Sequence, residues 1–195
     1  MLLSVTVADA QFAGTMTNPG IMPKDAKCTM LSKQIQRVAE PEKLPANQKY
    51  VGYYIGDELP DPQNGVGNAL GFGMPVKVAI QMGEDLYRYN GCKIVGVRFG
   101  LFEALNSSRV FVMEAANTDI VEKVSQQVAQ TTVGWNTVML DEPYTIGMDE
   151  GMSLLVGYDC DAPQGKYPVA VMGEGRQGGF LAYGNVKKND GNANV

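Results

Sequence analysis

Apolar and polar residues alternate with a period of two along much of the chain beyond residue 75. In "PVKVAIQM" (75–82), Val76, Val78 and Ile80 share one face of an extended segment, because successive side chains of a strand point to opposite sides. "CKIVGVRFGLF" (92–102) alternates less regularly, with Ile94, Val97 or Phe99, and Leu101 set against Lys93 and Arg98. Further strand candidates follow at short spacing: "RVFVMEA" (109–115), "IVEKVSQQVAQ" (120–130), "WNTVML" (135–140), "SLLVGYD" (153–159), "YPVAVMG" (167–173) and "FLAYGNV" (180–186). The same pattern extends back to the aromatic, β-branched run "KYVGYYIG" (49–56).

Between these runs lie "DELPDPQNGVGNALGFG", "NSS", "ANTD", "TVG", "DEPYTIGMDEG" and "DAPQGK". All are turn chemistry: Asx side chains that bond their own backbone, proline that presets φ, and glycine that tolerates positive φ. About nine short strands with no crossover helix between them predict an all-β fold, an antiparallel β-sandwich of jelly-roll-like type. Segment 120–130 is the weak point of that reading, since Ile120, Val124 and Val128 also fit a helical stripe; its valines favour a strand.

Residues 11–49 form a preamble broken by glycine and proline, with a short helix over 32–39 or an extended arm as its two readings. The sandwich is expected over 50–186, with a tail or linker at 187–195. "MLLSVTVADA" (1–10) has the form of the end of an apolar signal segment closing on an A-x-A site at Ala8–Ala10. It reads as a signal remnant, with an ordinary N-terminal strand as the competing reading. A secreted or cell-surface location is the resulting expectation.

Composition narrows the chemistry. The 195 residues carry no histidine, which removes Ser-His-Asp and Cys-His catalysis by this chain alone. A net charge of -5 argues against neutralising nucleic-acid phosphates, and no stretch reaches the roughly 20 apolar residues of a membrane-spanning helix. Neither "GVGNALGFG" nor "GEGRQGG" has the glycine spacing of a nucleotide-binding loop. The cysteines at 28, 92 and 160 lack zinc-site spacing. In an exported protein Cys92 and Cys160 would either bridge across the sandwich or remain thiols, and the odd count favours thiols.

Acidic residues collect in the turns. Asp57, Asp61 and Asn64 in one loop, and Asp159 and Asp161 in another, are candidate oxygen ligands for Ca²⁺, with solvated turn carboxylates as the plainer reading. A carboxylate pair acting on glycosides is a third-ranked function, and no catalytic residue is assigned. For binding, Tyr87 and Tyr89 share a face if "EDLYRYNG" is extended; with Arg88 between them and Trp135, they are the candidate ligand contacts. Trp135 lies opposite Val138 and Leu140 in alternation, so a core made by those aliphatics puts the indole at a rim or on an outer face.

The succession "YNGCKIVGVRFGL", "GWNTVMLDEPYTIGMDEGMSLLVGYD" and "YPVAVMG" resembles a secreted β-sandwich module found in surface and exported proteins of gut and oral anaerobes. More loosely, it is similar to the cleaved adhesin domains of gingipain-type proteases. The resemblance spans about residues 50–186 and implies a non-catalytic jelly-roll-like domain, often joined to a peptidase or other domains in the same chain. It carries over no ligand residues, because the matching positions read as scaffold. The function expected is a binding or adhesion module for a glycan or an extracellular host protein. A structural accessory domain of a larger exported protein is the alternative.

Overall fold

A computed structural model of the protein describes residues 3–4, 26–31, 33, 44–52, 58–59, 68–116, 119–172, 181–183 and 186–188. Its strands are β1 (Leu3–Ser4), β2 (Ala26–Leu31), β3 (Ala69–Gly71), β4 (Val76–Met82), β5 (Lys93–Leu101), β6 (Ser108–Ala116), β7 (Asp119–Val128), β8 (Gly134–Thr145), β9 (Met152–Cys160), β10 (Val169–Met172), β11 (Leu181–Tyr183) and β12 (Val186–Lys188). A 3₁₀ helix, Glu84–Tyr89, follows β4. The all-β expectation holds, and segment 120–130 is a strand.

Two sheets form, ordered β12-β2-β3-β10-β5-β8, with β1 beside β10, and β11-β4-β9-β6-β7. The antiparallel pairs are nested: β6 with β7, β5 with β8, β4 with β9 and β3 with β10. Lateral pairs β9–β6 and β10–β5 join these hairpin arms into the two sheets. Among the described residues only the peripheral pairs β1–β10 and β12–β2 are parallel.

Alternation decides which residues meet between the sheets. Val76, Val78, Ile80 and Met82 of β4, Val97, Phe99 and Leu101 of β5, and Leu154, Val156 and Tyr158 of β9 join one buried cluster. Within it the Phe99 and Tyr158 rings stack at 4.3 Å. The central strand β9 is buried on both faces from Ser153 to Tyr158, which is why "SLLVGY" reads as a nearly continuous apolar run. On the outer face of the second sheet, Ala79, Phe111, Met113 and Leu155 make a separate cluster. Lys77, whose ammonium lies 4.6 Å from the centre of the Phe111 ring, is held there by Asp159 at 2.6 Å.

Ala26–Leu31, within the segment read as a preamble with an extended arm as one reading, pairs with β3, and Leu3–Ser4 lies beside β10. Expectations about strand positions need correction. Ala69–Gly71, read as part of a long loop, is an inner strand of its sheet. Small residues hide it: a Cβ on Gly71 would stand 2.1 Å from the Lys166 carbonyl oxygen, so close packing demands glycine in a strand. Lys49–Gly52 form no strand, and residues 53–57 lie outside the described residues. Strand β8 continues through Pro143 to Thr145, where a turn is expected from "DEPYT". It does so over an irregularity, with Ile94 and Gly96 of β5 facing Tyr144 and Met139, so that surplus residues of β8 bulge between them.

Candidate binding cavity

A cavity of about 530 Å³ opens between residues 47–51 and β5. Its inner wall is apolar, with Met82, Leu86, Val97, Ile146 and Val156 reached from the sandwich core. The exposed Lys49 and Lys93, the half-buried Tyr50 and Tyr89 and the buried Arg98 also line the cavity, and among the described residues no aspartate or glutamate does so. The volume lies in the range of small-ligand sites.

The rim is built from local rules. The 3₁₀ helix begins with Glu84 and Asp85 and ends near Arg88, the charge order that suits a helix dipole. It is tied to the β8–β9 loop by a double clamp: the Asn90 side-chain amide donates to the Met148 carbonyl at 3.0 Å and its oxygen accepts from the Met148 N–H at 2.8 Å. Gly91 N–H donates to Ile146, and Ile146 N–H to Cys92, at 2.8 and 2.9 Å. Gly91 has φ of 84°, a conformation that glycine adopts without a Cβ clash.

Cations lie over the aromatic rings of this region. Lys49 Nζ lies 4.3 Å from the Tyr89 ring centre and the Arg88 guanidinium 5.1 Å from it. The nearly buried Arg98 guanidinium lies over both Tyr50, at 4.6 Å, and Trp135, at 4.1 Å. The Lys49 ammonium, more than any other group, lowers the Tyr89 phenol pKa below its ordinary value. Tyr50 lines the cavity with a buried hydroxyl that has no hydrogen-bond partner among the described residues.

Of the four expected ligand contacts, Tyr89 alone lines this cavity. Tyr87 and Tyr89 do not form an exposed pair on one extended face, because a 3₁₀ turn of about 120° per residue points residues two apart in different directions. Both are half-buried against the core, and the Tyr87 hydroxyl donates to the Asp149 carbonyl at 3.1 Å. Trp135 sits on the outer face with Leu59, Phe102 and Tyr167, as its place opposite the buried Leu140 implied. Alternation did not single out Tyr50, Lys49, Lys93 or Arg98; the one clue was a charge between Val97 and Phe99 in an otherwise apolar strand.

The acidic candidates separate. Asp57, Asp61 and Asn64 lie outside the described residues. Asp159 spends one carboxylate oxygen on Lys77 at 2.6 Å and the other on Arg109 at 2.9 Å, and Asp161 accepts from the Ser107 hydroxyl at 3.3 Å. This geometry argues against Asp159 as a calcium ligand, since a cation there would displace two others. Among the described residues, no group of three or more His, Cys, Asp or Glu side chains could hold a metal ion. Cys92 is an exposed thiol on the cavity wall and Cys160 a buried one. They are not bridged: Cys160 pairs with Val76 at the far end of β4 from Met82, the cavity end, about 20 Å away at the strand rise.

Among the described residues, no helix is long and apolar enough to cross a membrane. No family model, no curated protein and no solved structure matches the chain.

Proposed function

We propose that the protein is a secreted or surface-attached, non-catalytic binding module of jelly-roll type, similar in architecture to the exported β-sandwich modules its motifs resemble. The nested pairing of β3 with β10, β4 with β9, β5 with β8 and β6 with β7 supports the jelly-roll part: it is what results when one long antiparallel hairpin is rolled into two sheets. The single observation that carries the binding part is the cavity between residues 47–51 and β5, apolar within and polar at the mouth. The non-catalytic part rests on the missing histidine and on carboxylates already engaged by cations, such as Asp159 with Lys77 and Arg109.

The ligand class in this reading is a glycan or an extracellular protein. Purified protein should be applied to arrays of extracellular glycans and matrix proteins, with calcium and with chelator, beside a Tyr89→Ala variant of unchanged circular dichroism. Binding by the parent that the variant loses supports the cavity as the site. Parent binding unaffected by Tyr89→Ala would move the site elsewhere. Silence of the folded parent on every probe would favour a structural accessory domain of a larger exported protein.

A further inference from the structure

We propose that the cavity binds an organic anion carried on an apolar stem, of which a medium-chain fatty acid carboxylate is the simplest member. The inference rests on the cavity being a ligand site and goes beyond the glycan or protein reading in naming the chemistry the site accepts.

Three features converge on an anion. The chain is acidic overall at -5, yet among the described residues the exposed charged side chains lining this cavity, Lys49 and Lys93, are both cations. Clustering of one sign in a low-dielectric concavity focuses a positive potential on whatever enters. The Tyr89 ring faces cations, with Lys49 and Arg88 over it. Stacking a neutral sugar on that ring would require displacing the charges, whereas an anion meets the charges themselves. The Tyr50 hydroxyl, buried and without a partner among the described residues, adds a neutral donor at the same wall.

The stem follows from the inner wall. Met82, Leu86, Ile146 and Val156 offer no hydrogen-bonding side chain, so a polar group placed among them would lose its water without replacement. An alkyl chain gains roughly 0.8 kcal/mol for each methylene it buries. A head that needs donors and a body that needs none thus match the two ends of the site.

Cys92 supplies the readout, because its exposed thiol lines the cavity. Its alkylation by iodoacetamide should be followed by mass spectrometry of the Cys92 peptide, with decanoate, decyltrimethylammonium or decyl maltoside added below their micellar concentrations. Decanoate alone should slow alkylation, at least tenfold at saturation. A Lys49→Gln, Lys93→Gln double variant, both positions being exposed, should keep its melting temperature and require roughly tenfold or more decanoate for the same protection. Equal protection by all three amphiphiles would overturn the anion requirement while leaving the cavity a binding site. Protection by none would overturn this inference and leave the cavity reading to the glycan and matrix-protein arrays with Tyr89→Ala.

Discussion

The paired residues Gly157 and Tyr158 give the "VGY" motif its physical content. A Cβ on Gly157 would stand 2.0 Å from the Val78 carbonyl oxygen and 2.7 Å from the Phe111 ring, so β4 and β6 approach a bare backbone there. Gly157→Ala should therefore cost more than about 3 kcal/mol, a large share of a typical domain's stability, as read by urea denaturation. A cost below about 1 kcal/mol would mean that the strands part easily. Its neighbour runs the other way. The Tyr158 hydroxyl is fully buried with no hydrogen-bond partner among the described residues, while its ring stacks on Phe99. Tyr158→Phe keeps the stack and removes an unsatisfied polar atom, so it should leave stability unchanged or raise it by about 1 kcal/mol; a loss of that size would reveal a partner for the hydroxyl. These positions were legible as scaffold because "SLLVGYD" alternates in a run of strand formers. The glycine's reason was not legible, since it lies in strands remote in sequence.

Between elements, carboxamides do what strands cannot. Asn90 grips Met148 through both its oxygen and its nitrogen, Asn68 grips Lys33 the same way at 2.7 and 2.8 Å, and Gln126 reaches from β7 to Met139 and Asp141 of β8. Each side chain presents the donor and acceptor of a peptide group, so it continues sheet-like pairing where the backbone turns away. Asn90→Ala leaves two Met148 backbone groups to find water at the cavity rim, with an expected loss of about 1–2 kcal/mol in chemical denaturation. An unaffected midpoint would show that the rim holds without the clamp. Glu114 of β6 joins three strands by accepting from Tyr144 of β8 at 2.6 Å and from Lys123 of β7 at 3.0 Å. Burial opposes its ionisation most strongly of any single influence, but Tyr144 and Lys123 together outweigh it and lower its pKa below the usual 4.5. A lowered folded-state pKa contributes stability that is present above the unfolded value and lost as pH falls through the folded one. The melting temperature should thus fall less between about pH 5 and pH 3 in Glu114→Gln than in the parent; equal slopes would remove Glu114 from the acid response. None of these clamps announces itself in sequence, because an asparagine in a turn more often bonds its own backbone.

At the scale of the molecule, alternation and turn chemistry sufficed for the all-β class, and most strands fell where the pattern placed them. Strand order was out of reach, since pairing β3 with β10 is decided by complementarity between segments nearly a hundred residues apart. The cavity was equally hidden: one wall comes from residues 47–51, which carry the strand composition of "KYVGYYIG" but lie against β5 instead of forming a strand. That arrangement makes residues 47–51 part of the folded unit, and Trp135 can report on them. The only tryptophan in the chain, it lies on the outer face of its sheet against Leu59, with Arg98 bridging to Tyr50. Far-ultraviolet circular dichroism follows the sheets, whereas Trp135 fluorescence follows the contact between sheet and segment. A nested hairpin leaves no subset of strands with a complete core, so the two signals should cross their midpoints together in urea, within error, as for one cooperative domain. An earlier fluorescence transition would divide the molecule: residues 47–51 would then detach from an intact sandwich, the cavity would lose its outer wall before the core yields, and ligand protection of Cys92 should vanish at that first transition.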